Sequence, residues 1–229
     1  MKDISLIAFD ADDTLWECQT YFEAVEKEYC ELLKSYASAD EISKALFAVE
    51  TANMPLLGYG SKAFLLSLLE NAIEVSGGRL KADEVEKIIK LGKELLQLPG
   101  KPMDGVEETL KVLRERGEYH LVVFTKGELL DQENKFHRSG LKPYFDDIIV
   151  VSDKTEASYY QLCERFSINV EQLLMVGNSF RSDIEPVLKL GGWAAHIPFH
   201  TTWQHEVVEE YEHPHLFKLE YFTQLKQVL

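Results

Sequence analysis

Short apolar runs recur along the chain, each ending in small, hydroxylic or charged residues. The first is Ile4-Ser5-Leu6-Ile7-Ala8-Phe9, cut off by Asp10-Ala11-Asp12-Asp13-Thr14. Leu121-Val122-Val123-Phe124 ends in Thr125-Lys126-Gly127, and Ile148-Ile149-Val150-Val151 ends in Ser152-Asp153-Lys154. Leu173-Leu174-Met175-Val176 ends in Gly177-Asn178-Ser179, with Asp183 a few residues on. Runs of this length without alternation predict buried strands. A further strand is predicted at Trp193-Ala194-Ala195-His196-Ile197.

Between the first two runs the period changes. Tyr21, Val25, Tyr29, Leu32 and Leu33 fall on one helical face, and so do Ile42, Leu46 and Val49. Phe64, Leu65, Leu68, Leu69, Ala72 and Ile73 form a third stripe; Val85, Ile88, Ile89, Leu95 and Leu96 form a fourth. Breaks are expected at Ala39-Asp40, from Asn53 through Ser61, and at Ser76-Gly77-Gly78. Four amphipathic helices can close a bundle of their own. Pro99-Gly100-Lys101-Pro102 marks the exit of this segment. Val106, Leu110 and Leu113 then start a helix that returns to the strands, and strands alternate with helices thereafter. That alternation predicts a parallel sheet covered on both faces.

Ligands of such sheets bind outside the carboxyl ends of the strands. The two carboxylates at Asp10 and Asp12 stand at such an end. An acidic loop that merely solvates the strand is one reading, because Asp is a common loop residue. A calcium loop is another, since Asp10, Asp12 and Thr14 alternate. It fails because Leu15 stands where a sharp turn needs Gly, and Tyr21 where the last ligand should be Glu. The third reading is a nucleophilic aspartate beside an acid–base aspartate. It requires partners at neighbouring strand ends, and Thr125, Lys154 and Asp183 occupy such places.

With these four motifs in this order, the chain resembles the haloacid dehalogenase-like (HAD) hydrolase superfamily, over residues 4 to about 198. The resemblance implies an α/β protein: a Rossmann-like parallel sheet core, residues 1–15 and 101–229, with a small all-helical cap inserted at 16–100. It implies a phosphatase that forms an aspartyl-phosphate on Asp10, with Asp12 as acid and base. Thr125 and the backbone N–H of Lys126 bind the phosphate, and Lys154 neutralises charge. On the same resemblance, Mg2+ would be held by Asp10, the Asp12 carbonyl, Asn178 and Asp183. Two positions depart from the pattern: Asp13 stands where many relatives have Gly, and Asn178 where relatives usually carry Asp. Dehalogenation would use Asp10 but needs neither an acid at position 12 nor a metal. A mutase, or a weakly active phosphate-ligand sensor on the same fold, remains an alternative; Asn178 is the feature that favours the sensor.

The Gly- and Pro-rich stretch Met54–Lys62 joins two of the helices and could offer Tyr59 and Lys62 to a substrate; a plain connection is the equal alternative. His200, Trp203 and His205 follow the last predicted strand and could line the pocket rim; surface packing is the favoured reading. Cys163 reads as core.

Composition narrows the partners. A net charge of −15 argues against binding a nucleic-acid backbone, which needs a basic face. A phosphorylated metabolite must be drawn by a local field. Three scattered cysteines give no disulfide framework or zinc spacing. With no signal-like start and no apolar stretch near the length of a membrane span, a cytoplasmic protein is expected.

Overall fold

A computed structural model describes residues 3–229. The chain divides into two compact units, one formed by the chain up to Gln19 together with Pro99–Leu229, the other by Thr20–Leu98.

The first unit holds a parallel six-stranded sheet of order β3-β2-β1-β4-β5-β6. Its strands are β1 (Leu6–Phe9), β2 (His120–Lys126), β3 (Asp147–Val151), β4 (Leu173–Gly177), β5 (Trp193–His196) and β6 (Leu216–Lys218). Side chains of a strand alternate between faces, and here both faces are covered. On one, Ile7, Phe9, Leu121, Val123, Leu174 and Val176 join Val106 and Leu110 of the helix α5 (Val106–Arg116), Phe136 and Phe222. On the other, Leu6, Ala8, Val122, Phe124, Leu173 and Met175 join Tyr159, Leu162, Cys163, Ile184 and Val187. A strand buried on both faces has no polar side to show, which is why its sequence is continuously apolar. β1 is central: it pairs with β2 on one side, Phe9 opposite Val123, and with β4 on the other, Phe9 opposite Val176. The chain therefore reverses its direction of winding beside β1, and the crevice at that reversal is where Asp10 emerges.

Trp16 explains why the residues just after the first motif stay with the sheet. It is fully buried, bridges Asp12 and Pro102, and leaves the chain to start its excursion only at the helix α1 (Gln19–Leu33). The second unit continues with α2 (Ala39–Leu57), α3 (Ser61–Val75) and α4 (Ala82–Leu95). Its core contains Val25, Tyr29, Leu33, Ile42, Leu46, Phe64, Leu68, Ala72 and Ile88. The Tyr29 hydroxyl is 2.6 Å from Asn71 Oδ1 and 2.9 Å from the Leu68 carbonyl. Gly92 lets α4 approach α3, because a Cβ there would stand 2.6 Å from Leu65 Cδ1.

Two elements differ from expectation. α2 does not break at Asn53 but runs to Leu57 with Pro55 inside. Proline so close to the end removes only one intrahelical bond, and the Gly58 N–H still reaches the Met54 carbonyl at 2.9 Å. The connection is thus only Gly58-Tyr59-Gly60, with both glycines at positive φ, and Lys62 lies in the first turn of α3. The second difference is β6, which pairs Phe217 with Ala195 at the sheet edge. His200, Trp203 and His205 therefore sit in the β5–β6 connection rather than after the last strand.

Candidate active site

Four strand ends bring the carboxyl-end residues together, each for a local reason. β1 delivers Asp10, 7% exposed, whose N–H is held by the Val176 carbonyl at 2.9 Å. β2 delivers Thr125, and β3 leads to Lys154, both buried. β4 ends at Gly177, where a Cβ would lie 2.2 Å from Asp183 Oδ2, so only glycine lets that carboxylate pass. A π-helical turn, Phe180–Ile184, then aims Asp183 inward, and its N–H bonds the Ser179 carbonyl at 2.8 Å. The helix α7 (Glu156–Phe166) supports this turn through the Tyr159 hydroxyl, 2.9 Å from the Ser182 carbonyl.

At the centre, Lys154 Nζ bonds Asp10 Oδ1 and, at 2.6 Å, Asp183 Oδ1. Asp183 Oδ2 also accepts the Ser179 N–H at 3.0 Å. Thr14 Oγ1 is 3.1 Å from both Asp10 Oδ2 and Asn178 Oδ1 and accepts the Asn178 N–H. His196, at the end of β5, donates from Nε2 to the Asn178 carbonyl at 2.9 Å. Burial pushes the Asp10 carboxyl up to about 7, helped by the charge of Asp183 and opposed by Lys154. Burial alone would lower Lys154, but Asp10 and Asp183 outweigh it and raise the ammonium's pKa.

The Asp12 side chain turns to a different set of partners. Its Oδ1 accepts from Trp16 Nε1 at 2.8 Å and Lys135 Nζ at 2.8 Å; its Oδ2 accepts from Lys135 at 2.7 Å and Gln132 Nε2 at 2.9 Å. Gln132 also reaches Thr125 Oγ1 at 3.2 Å and the Lys126 carbonyl at 2.8 Å. Burial works to raise Asp12, yet Lys135, Gln132 and Trp16 together hold it below the usual carboxylate range. Its side chain keeps 27% of its surface, so a ligand can reach it, whereas that of Lys135 keeps 4%.

Asp13 sits at φ +63°, a left-handed position that Asp tolerates better than most residues, in the place where many relatives carry Gly. Its carboxylate accepts the N–H groups of Cys18, at 2.8 Å, and Gln19, which lead into α1.

Lys126 extends its ammonium to Glu206 and, at 2.9 Å, to Ser182. Glu206 is held below its usual range against the pull of burial by Lys126 and Ser182, with Lys154 contributing. Trp203 and His205 are half-buried in this region, Lys126 Nζ lying 5.9 Å from the Trp203 ring and Arg181 bonding the His205 carbonyl, while His200 is exposed. Trp203 and His205 thus lie in a segment that meets Lys126 and Arg181, and His200 lies at the surface. Tyr59 and Lys62 belong to the helical unit, Tyr59 half-buried and Lys62 exposed. The three cysteines are free and buried.

Gln132, Lys135, Trp16 and Glu206 carry no signal in the sequence reading. The helix α6 (Leu129–Ser139) inverts ordinary amphipathicity: Leu129 and Leu130 are 58% and 57% exposed, while Gln132 and Lys135 are buried.

A metal can be tested against these donors. Among the described residues no group of three His, Cys, Asp or Glu side chains stands together as a ligand set. The available donors are all oxygens: Asp10, Asp183, the Asn178 amide and the Asp12 carbonyl. Two buried carboxylates share one ammonium, and Asp10 is pushed up to about 7, so a further cation would relieve the site. Oxygen donors with few carboxylates suit Mg2+, which keeps several waters; the residues fit that ion.

The Rossmann-like parallel sheet thus sets an aspartate–lysine–aspartate cluster, Asp10, Lys154 and Asp183, at the carboxyl ends of its strands. The family model of haloacid dehalogenase-like hydrolases matches residues 4–191, and the chain belongs to that family. It is 28% identical over 185 residues to haloacetate dehalogenase H-2 of Moraxella sp. (strain B), covering 78% of this chain and 79% of that one. A haloacid dehalogenase-like family hydrolase from Xanthomonas campestris is 34% identical with a TM-score of 0.89, over 98% of this chain and 90% of its own. The HAD phosphatase from Thermococcus onnurineus shares the fold at 18% identity, with a TM-score of 0.62, over 98% and 97% of the two chains.

Proposed function

We propose that this hydrolase cleaves small phosphomonoesters with Mg2+ as cofactor. The observation that carries the reading is the second carboxylate. Asp12 is fixed by four hydrogen bonds at the mouth of the Asp10 site. Displacement of halide from carbon gives such a group nothing to do. Hydrolysis of a phosphate ester needs a proton at the leaving oxygen and a base for water.

In this mechanism an Asp10 oxygen attacks phosphorus while the bond to the leaving oxygen breaks, and Asp12 gives that oxygen a proton. Asp12 then takes a proton from water, whose oxygen attacks the aspartyl-phosphate; the Asp10 carboxylate and inorganic phosphate are released. The carboxylate form of Asp12, favoured by Lys135, is the one the second half-reaction requires. A neighbouring phosphate dianion favours the protonated form that the first requires. Thr125 and the Lys126 N–H bind the phosphoryl group, and Lys154 neutralises it. Asp10, Asp183, Asn178 and the Asp12 carbonyl would hold Mg2+, which when bound acts as a Lewis acid on the phosphoryl oxygens. We further propose that Tyr59 and Lys62 help choose the substrate. Tyr59→Ala and Lys62→Ala are expected to lower efficiency on the best metabolite phosphate while sparing p-nitrophenyl phosphate. Equal loss on both would refute that role.

One observation favours a second reading, dehalogenation. Lys135 cancels the Asp12 charge, which would otherwise repel a haloacid's carboxylate. The deciding assay runs p-nitrophenyl phosphate and a panel of sugar, nucleoside and short-chain acid phosphates against chloroacetate and 2-chloropropionate, each with Mg2+ and with chelator. Magnesium-dependent phosphate release is expected. Halide release without phosphate release would overturn the phosphatase reading. The expected cellular setting is cytoplasmic; no described helix is long and apolar enough to cross a membrane.

A further inference from the structure

The helix α6 spends its buried face on polar groups, and that needs a reason. Lys135 lies almost wholly out of water, 123 residues from Asp12 in sequence, and both Asp12 oxygens lie within 2.8 Å of its Nζ. A buried lysine is costly unless it is paired and hydrogen-bonded. Gln132, one turn earlier on the same buried face, spends its amide N–H groups on Asp12, Thr125 and the Lys126 carbonyl. Its own carbonyl oxygen is buried without a hydrogen-bond partner. That arrangement fixes the amide by what it donates rather than by what it accepts. Trp16 closes the third side, its indole N–H on Oδ1. Donors on three sides restrict the carboxylate to few rotamers, while 27% of the Asp12 side chain stays exposed for a water to approach; the donors come from the turn after β1 and from α6.

We propose that Lys135, with Gln132 and Trp16, forms a cradle that positions Asp12 for activating water on the aspartyl-phosphate. Lys135 is a positioning residue: its ammonium holds the Asp12 carboxylate, and it acts on the substrate only through Asp12. The role rests on the phosphatase reading, and it separates the two half-reactions. With an activated leaving group such as p-nitrophenolate, the first step needs little from Asp12, whereas the attack of water always does. For two sequential steps, kcat/KM reports the first and kcat the slower one.

Lys135→Met removes the cradle's charge while keeping its length. On p-nitrophenyl phosphate its kcat is expected to fall about a hundredfold, within the usual range for a positioned base. Its KM should fall in parallel, leaving kcat/KM within about threefold of the parent. A burst of p-nitrophenolate equal to the enzyme concentration should precede the slow phase, and Lys135→Arg should restore a large part of kcat. Parallel loss of kcat and kcat/KM without a burst would overturn the role, as would unchanged kcat. The crystal structure of Lys135→Met supplies a readout independent of turnover. The Asp12 carboxylate is expected to leave its place or occupy several rotamers, and an unmoved Asp12 overturns the inference. Wild-type protein inert toward every phosphate ester would sink the phosphatase reading instead, and the position of Asp12 in the variant would then decide the cradle alone.

Discussion

Asp10 and Asp12 are two residues apart yet live in opposite environments. Asp10 is pressed between burial, Asp183 and one lysine, and its carboxyl rises to about 7; Asp12 meets a lysine, an amide and an indole and falls. A strand of period two followed by a tight turn makes this possible. Ala11 points into the core, and the flanking carboxylates face different walls. Different environments predict different mutant behaviour. Asp10→Asn keeps the shape and removes the attacking oxygen, so phosphate release should disappear while the folded circular dichroism spectrum stays. Wild-type-like turnover in the purified variant would sink the mechanism. Asp12→Asn keeps two of its hydrogen-bonding directions but cannot carry a proton. It should lose roughly 10²–10⁴-fold in kcat/KM on alkyl phosphates. On p-nitrophenyl phosphate kcat/KM should change far less, because that leaving group scarcely needs an acid. Steady-state kinetics on both substrates would tell, and equal losses would leave Asp12 a structural role only.

Helices and strands carry their own consequences. In the helical unit, Glu50 of α2 is half-buried near Glu26 of α1, and burial with that neighbouring charge pushes it up to about 7. A carboxyl whose folded pKa lies above its unfolded value of 4.5 disfavours folding once ionised. The penalty is absent near pH 4, grows as pH rises, and is complete above pH 7. Glu50→Gln should therefore gain stability relative to the parent by about 2 kcal/mol between pH 4 and pH 8, after discounting for solvent screening. Urea unfolding at both pH values checks this, and a pH-independent difference would place Glu50 in water. Elements also decide what the sequence could reveal. β1, β2 and β4 are apolar on both faces and β3 is an apolar run at the sheet edge, so all four stand out, and the residues just past them are legible as a candidate site: Asp10, Thr125, Lys154, Asn178 and Asp183. β6 is three residues at an edge, Leu216-Phe217-Lys218, too short and too mixed to register. α2 continues through Pro55 because only one bond is lost there, a cost the local sequence signal overstates. Lys135 was invisible for a different reason. A lysine on a helix ordinarily lies in water, and the partner that draws it inside is far away in the chain; the exposed Leu129 and Leu130 point a periodicity reading to the wrong face.

Over the whole molecule, a net charge of −15 surrounds the proposed phosphate site. Such a field draws cations and repels phosphate beyond about one Debye length, roughly 8 Å at physiological salt. Inside that distance Asp10 and Asp183 share the ammonium of Lys154, so the centre is itself short of positive charge. A phosphate monoester dianion meets no net attraction at either scale unless a divalent cation accompanies it. Charge thus gives the proposed magnesium dependence a support beyond the family resemblance. Chelation should abolish phosphate release, yet move the thermal midpoint by only a few degrees, because the sheet and its two apolar layers do not need the ion. Asn178 sharpens the argument. It contributes an oxygen without a charge, and its Oδ1 already lies 3.1 Å from Thr14 Oγ1, which also faces Asp10. Asn178→Asp keeps the oxygen and adds one negative charge beside the proposed ligands. At an effective dielectric near 20, a unit charge a few ångströms from the ion is worth up to a few kcal/mol. Part of this is lost to the desolvation of a third carboxylate, so the magnesium concentration for half-maximal phosphatase activity should fall on the order of tenfold. A magnesium titration of both proteins measures it. An unchanged half-activation point would mean that Asn178 does not face the ion.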